Sequence, residues 1–214
     1  MKDEKISNYV KLCEDWADKF MKMDQENLRK RVPELKEENG FLTLIHFGRK
    51  YGISLNDGSI CSMDGQQEPD TTEMLNIYTL LGYAKEGAFF MNKWVPFADL
   101  RNARPFAPAY KIGETDVFGA TFSGHEKELR EAFCKLGGKE LPQGDVGYEI
   151  RAFECMPMRF FFWERDEEFE AQGNILFDYS ATDFNHVESA VSIADVGIKR
   201  LAELAGLPVR GKSF

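Results

Sequence analysis

The sequence predicts an α+β fold that forms a single domain over residues 1–214. Apolar residues recur with a helical period in some segments and with a period near two in others, so both helices and strands are expected. A hydrophobic content of 43% over 214 residues is enough for a sizeable core. No Pro-, Gly- or Ser-rich linker divides the sequence, which favours one compact unit.

Two helices are predicted at the start of the first half. Apolar residues from Ile6 to Met21 recur at helical spacing among charged residues, which is typical of an amphipathic helix. A shorter helix should begin near Asp24 and stop before Pro33, because proline disfavours helical geometry in the residue that precedes it.

A strand pair and a third helix complete the first half. Residues 41–47 and 50–55 are β-rich runs on either side of a turn at Gly48-Arg49. Asp70, with Glu73 three residues later, predicts a capping box at the start of a helix that ends near Gly87.

The second half contains similar elements in the same order. Ser123 and Glu126 match a capping box, which predicts a helix that Gly137 ends. Strands are predicted at 148–153, 158–163 and 174–178, and a long helix at 185–205 with Asn185 as its cap and Gly206 as its end.

Each half therefore reads as helix, strand pair, helix, which suggests an internal duplication of this unit. The pseudo-repeats would cover about 1–90 and 114–210, joined by an aromatic and basic crossover at 91–113. A coincidental order of elements is the alternative.

Charge and composition exclude several functional classes. The chain has 27 basic and 36 acidic residues, a net charge of -9, so nucleic acid and anionic membranes are poor partners. No apolar stretch reaches the roughly 18 to 20 residues that span a bilayer, and we expect a cytoplasmic protein. The four cysteines lack zinc-ligand spacing, which predicts free thiols and no metal.

The crossover is the candidate ligand-binding segment. It is locally positive within an acidic chain, and aromatic residues alternate with its cations. Aromatic faces beside arginines suit a flat, anionic small molecule or cofactor. An aromatic plug between the two halves is the alternative. The candidate ligand-binding residues are Trp94, Arg101, Arg104, Phe106 and Tyr110, with His46 reaching the same cleft if it points away from the core.

A polar corner is predicted where the last strand meets the last helix. Asp178 follows an apolar run, so its carboxylate should accept local hydrogen bonds and order the corner together with Ser180 and His186. The alternative interpretation pairs Asp178 and His186 as an acid and base.

Three segments resemble one known family. Residues 92–100 (NKWVPFADL), 162–169 (FWERDEEF) and 174–181 (NILFDYSA) are similar to the landmarks of domain of unknown function family 3786. The resemblance covers nearly the whole chain and implies a prokaryotic protein of anaerobes, sometimes found beside an iron-sulfur domain. The cysteines of that iron-sulfur domain have no counterpart here, and the resemblance implies no particular activity.

These observations lead to two main functional hypotheses. The first is a cytoplasmic protein that binds an anionic small molecule or cofactor, and the resemblance adds a role accessory to anaerobic redox or corrinoid metabolism. The second is an interaction module that docks onto a redox or methyl-transfer partner protein. An enzyme that uses Asp178 with His186 or His46 ranks third, because no spacing enforces that geometry.

Overall fold

Helices and two antiparallel sheets alternate along residues 8–211, the part of the chain that this computed structural model describes. The predicted α+β class is confirmed. The helices are α1 (Asn8–Phe20), α2 (Gln25–Arg31), α3 (Thr71–Tyr83), α4 (Ala107–Tyr110), α5 (Asp116–Phe122), α6 (Glu126–Lys135), α7 (Ala181–Phe184) and α8 (Val187–Ala205). The strands are β1 (Lys36–Glu38), β2 (Phe41–His46), β3 (Arg49–Ser54), β4 (Ile60–Ser62), β5 (Trp94–Pro96), β6 (Lys139–Glu140), β7 (Val146–Phe153), β8 (Met156–Trp163) and β9 (Gln172–Asp178).

The first sheet is a four-stranded meander in the order β1-β2-β3-β4. Its central hairpin joins β2 to β3 through Phe47 and Gly48, which have φ angles of 42° and 77°. Two consecutive positive φ values make a tight turn whose twist matches that of the flanking strands. The turn therefore lies one residue earlier than the predicted Gly48-Arg49.

The second sheet has the order β5-β9-β8-β7-β6. Its edge strand β5 comes from the crossover and pairs antiparallel with β9, so that Trp94 lies opposite Asp178. Alternate residues of β8 enter the core, and Phe160 and Phe162 have no exposed surface. The crossover is thus joined to the body of the protein by backbone pairing as well as by side-chain packing.

Helix α8 packs where the two sheets meet. The amide of Phe47 donates to the carbonyl of Ala152 at 3.0 Å, which links the first hairpin to β7. A β-carbon added to Gly197 of α8 would lie 2.9 Å from the Phe47 ring and 3.1 Å from the Phe160 ring. A side chain at this position would hold the helix away from both sheets.

Most of the predicted elements are confirmed, and the capping box at Asp70 and Glu73 is present. Ile6 lies outside the described residues. Two predicted caps are wrong. The Ser123 hydroxyl donates to Glu164 instead of capping α6. His186 rather than Asn185 caps α8, because Asn185 is the C-terminal cap of the short helix α7.

The predicted strand pairs are each the centre of a larger meander. Each half of the chain has a four-stranded antiparallel meander with a helix before it and a helix after it. The order of elements alone does not establish that the halves share an origin, so the internal duplication stays a prediction.

Candidate functional site

A cleft of about 390 Å³ lies where the end of α3, the crossover and the start of α8 come together. We call it the crossover cleft. Three of the residues predicted from the sequence line it, namely Arg101, Phe106 and His186. Its other lining residues are Tyr83, Lys85, Asn102, Thr182, Asn185 and Val187.

Two cations beside the cleft share one carboxylate. Lys85 Nζ lies 2.8 Å and Arg101 Nη1 lies 2.5 Å from Asp183 Oδ1. Burial works to raise the pKa of Asp183, but the hydrogen bonds and charges of Lys85 and Arg101 lower it below its usual value. Two positive charges against one negative charge leave the group with a net charge of +1.

Tyr179 brings a third cation to the same place. The Lys93 ammonium group lies 4.2 Å and the Arg101 guanidinium group 5.1 Å from the centre of the Tyr179 ring, both within the range of cation–π contacts. The side chains of Lys85 and Arg101 are 59% and 38% exposed, so N–H donors of both remain accessible from solvent.

His186 marks the start of the long helix α8. Its Nδ1 accepts a hydrogen bond of 3.3 Å from the Glu188 amide, so the neutral ring carries its proton on Nε2. The ring packs against Tyr83 at a centroid distance of 5.3 Å. His186 thus adds a donor to the cleft, at the positive end of the helix dipole.

Asp178 orders both sides of the predicted polar corner. Its Oδ1 accepts from the amides of Met91 and Ser180, each at 3.0 Å, and from the Ser180 hydroxyl. Its Oδ2 accepts from the Lys93 amide at 2.8 Å. Because these donors occupy the carboxylate, Asp178 holds the crossover against β9. Within residues 8–211 no hydrogen bond joins it to His186 in the manner of an acid–base pair.

Trp94, a predicted ligand-binding residue, does not line the crossover cleft. Trp94 lies on the outer face of the second sheet, where the Arg159 guanidinium group stacks on its ring at 3.9 Å. Its indole N–H donates to Asn92 at 3.1 Å. The pairing of β5 with β9 fixes which side chains face outward, and this register directs Trp94 away from the cleft.

Tyr110 and Arg104 also lie outside the lining of the cleft. Tyr110 is only 5% exposed and stacks on Phe97 at 4.2 Å, so its hydroxyl cannot orient a ligand in the cleft. Burial raises the pKa of Tyr110 well above its usual value. Arg104 is exposed on a 3₁₀ turn and is absent from the cleft lining. Arg101 lies in the turn that precedes this 3₁₀ helix and not on the helix itself.

His46 points into the core and not into the cleft. It is completely buried, stacks on Phe153 at 4.3 Å, and donates from Nδ1 to the carbonyl of Ala152 at 2.9 Å. Its Nε2 lies 3.4 Å from Asn76 Nδ2. Burial lowers the pKa of His46 to about 3, although the bond to Ala152 opposes the shift. The ring is therefore neutral and structural.

Sequence analysis missed Lys85, which lines the cleft, and Asp183, which lies beside it. Lys85 and Asp183 meet although 98 residues separate them, and Arg101 joins them from 82 residues away. No local pattern indicates such a contact. The short helix α7, which places Asp183 beside the crossover, also has no clear periodic signal at four residues.

Residues 8–211 contain no group of three or more His, Cys, Asp or Glu side chains that could hold a metal ion. Over the same range, no helix has the length and apolar character needed to cross a bilayer. The four cysteines are free thiols.

Comparison with known proteins identifies one family. A family model described as "Domain of unknown function (DUF3786)" matches residues 26–200. This range includes both sheets and every residue that lines the crossover cleft. No curated protein and no solved structure matches the chain.

Proposed function

The chain belongs to the DUF3786 family, and from this premise we propose that it binds a small anionic molecule or cofactor in the crossover cleft. The observation that carries the proposal is the shared carboxylate of Asp183, which holds Lys85 and Arg101 beside the cleft with positive charge in excess. The protein as a whole has a charge of -9, so this local excess runs against the overall charge.

The remaining features of the cleft suit the same class of ligand. A lysine has three N–H donors and an arginine five, so the contact with Asp183 leaves donors on both for an anion. His186 adds a donor at the N-terminus of α8, where the helix dipole favours negative charge. Tyr83 and Phe106 supply aromatic surface for a flat group.

The proposal is tested with flavin mononucleotide (FMN) as the anionic probe and riboflavin as the matched probe without the phosphate. Fluorescence polarisation should show saturable FMN binding that inorganic phosphate competes away. Riboflavin should bind at least about tenfold more weakly than FMN. Arg101→Ala should weaken FMN binding about tenfold, since it removes a charge-assisted donor. Arg104→Ala is the matched control and should bind as the parent does.

Three outcomes would contradict anion binding in this cleft. They are equal affinity for FMN and riboflavin, an unchanged affinity in Arg101→Ala, and no saturable binding of either FMN or phosphate at millimolar concentration. Native mass spectrometry of protein purified without oxygen from its own host would then identify the natural ligand.

The interaction module is the second candidate, and one surface favours it. Phe89, Phe90 and Met91 are consecutive residues that are 65%, 44% and 36% exposed. Phe90 packs edge-on against Trp94 at 5.8 Å, which extends the apolar surface onto the second sheet. Such a patch is typical of a docking surface for a partner protein. A cross-link from Lys93 to another host protein, lost in Phe90→Ser, would support this function.

We also propose a cytoplasmic location and a role accessory to anaerobic redox or corrinoid metabolism. This wider role rests on the family resemblance and not on the geometry of the cleft. A flat anionic cofactor in the cleft, or a redox or methyl-transfer protein on the Phe89–Met91 surface, would fit that role. Deletion of the gene in its anaerobic host, followed by growth on different electron donors, tests it independently of FMN binding.

A further inference from the structure

A second and larger groove lies on another part of the surface. It has a volume of about 670 Å³ and runs between α1, α3 and α8, with the π-helical turn Lys111–Thr115 at its base. We call it the Glu114 groove. Leu12, Trp16, Leu75 and Val191 supply its apolar walls.

Glu114 is the unusual residue of this groove. The residue is only 6% exposed, and its Oε2 is buried with no hydrogen-bond partner. A buried carboxyl oxygen without a partner is costly, because its hydration has been removed without replacement. Glu114 lies on a π-helical turn, a feature often found at functional sites. Once the carboxyl group is ionised, Oε2 therefore lacks a hydrogen-bond donor, which a ligand in the groove could supply.

The neighbouring hydroxyl groups can also accept a hydrogen bond from a ligand. The Ser192 hydroxyl donates to Asn76 Oδ1 at 2.5 Å and to the Ser189 carbonyl at 3.0 Å, which commits its proton. The Thr79 hydroxyl donates to the Leu75 carbonyl at 2.7 Å. Both hydroxyl oxygens keep lone pairs that can accept hydrogen bonds. The groove thus offers acceptors from Glu114, Ser192 and Thr79.

The charge of the groove has the sign that a donor-rich cation needs. Glu188 and Asp195 line it together with Glu114, and Lys199 is the cation facing them. Lys199 Nζ is bound to Asp195 Oδ2 at 2.6 Å, which neutralises that pair. The remaining charge at the groove is negative. Glu114 and Glu188 both contribute to it when Glu114 is ionised, and Glu188 alone carries it when Glu114 is protonated.

We propose that the Glu114 groove binds an organic ammonium ion. The ammonium group donates hydrogen bonds toward Glu114 Oε2 and toward the hydroxyl oxygens of Ser192 and Thr79, while its apolar body packs between Trp16, Leu75 and Val191. The site is separate from the crossover cleft and takes a ligand of the opposite charge.

A proton should leave Glu114 when the ammonium ion binds. Burial and the charge of Asp195 raise the pKa of Glu114 to about 8, against the opposing effect of Lys199, so at pH 7 the carboxyl group is mostly protonated. An adjacent cation favours the carboxylate, and the proton passes to the buffer. The titratable groups around Glu114 are Tyr110 of α4, Asp195, Lys199 and Glu188 of α8, and Tyr9 of α1, whereas α3 contributes the uncharged Thr72, Asn76 and Thr79.

The experiment is isothermal titration calorimetry with 2-phenylethylamine as the probe and 2-phenylethanol as its neutral counterpart. Titrations at pH 7 in phosphate and in HEPES buffers measure the protons released, because the two buffers differ in their enthalpy of protonation. We expect saturable amine binding and the release of most of one proton. The alcohol should bind at least about tenfold more weakly than the amine.

Variants locate the effect. Glu114→Gln should abolish proton release and weaken amine binding about tenfold, whereas Glu167→Gln, an exposed glutamate outside the groove, should change neither. Thr79→Val, which keeps the shape of the side chain, should weaken the amine severalfold and serves if Glu114→Gln does not fold. The proposal is overturned by no saturable amine binding at millimolar concentration, by binding without proton release, or by equal affinity for amine and alcohol.

Discussion

Arg200 of α8 and Glu73 of α3 form a buried ion pair, with 2.6 Å between Arg200 Nη2 and Glu73 Oε1. The Tyr51 hydroxyl of β3 donates to the same oxygen at 2.7 Å. Glu73 Oε2 accepts from the Asp70 amide at 3.1 Å and completes the capping box of α3. One side chain thus caps a helix and joins it to α8 and to the first sheet. Helices α3 and α8 also flank both candidate sites, so this contact sets the spacing of their walls.

Glu73→Gln should destabilise the protein by about 3–5 kcal/mol, because Arg200 loses its buried partner and keeps only the half-exposed Glu203, 3.6 Å from its Nε. Urea unfolding followed by circular dichroism measures the loss. Glu86→Gln removes a charge from an exposed position near the end of the same helix and should stay within about 0.5 kcal/mol of the parent. An unchanged urea midpoint for Glu73→Gln would show that the pair contributes nothing.

Asp178→Asn should cost about 1–3 kcal/mol, since an amide NH₂ would face backbone donors where the carboxylate oxygens now accept. Thermal or denaturant unfolding measures the loss of stability. The control is Asp99→Asn, which changes an exposed aspartate of the same crossover. Loss of FMN binding at unchanged stability would instead assign Asp178 to the ligand site.

His46 should make stability depend on pH. Its pKa is about 3 in the folded protein against an ordinary value of 6.5, so between these values the unfolded chain binds a proton that the folded chain does not. Stability therefore falls as the pH is lowered, by about 2 kcal/mol from pH 7 to pH 5.

The contribution of His46 is obtained by comparing variants, because other groups also titrate over this range. Urea unfolding of His46→Gln at pH 7 and pH 5 should lack this loss, whereas His125→Gln, at the start of α6, should keep it. Equal pH dependence in the parent and in His46→Gln would exclude a buried neutral histidine.

Gly119 of α5 should not tolerate a side chain. A β-carbon there would lie 2.6 Å from the Ala171 carbonyl oxygen and 3.2 Å from Gln172 Cα, both of which are backbone atoms. Gly119→Ala should destabilise by about 1–3 kcal/mol, even though alanine is the better helix former. Denaturant unfolding measures the change, and a stability gain would show that α5 can move away from β9.

Local sequence patterns were sufficient for the elements that depend on neighbouring residues. The capping box of Asp70 and Glu73 and the left-handed end of α8 at Gly206 follow from contacts within one helical turn. The missed elements are those with short or weak patterns. The strand β5 exists because β9 lies beside it, and α7 because the chain must turn between β9 and α8.

The sequence by itself determined the α+β class, the hairpins and the main helices, because hydrophobic periodicity and helix caps depend on residues that are close together in the chain. Its local composition also indicated the crossover as a candidate binding segment. Tertiary structure alone decided which crossover side chains share a cleft. The register of β5 against β9 turned Trp94 outward, stacking on Phe97 buried Tyr110, and Asp183 drew Lys85 and Arg101 together across 98 and 82 residues. Contacts between such distant residues depend on how the elements pack, and packing is a property of the whole chain.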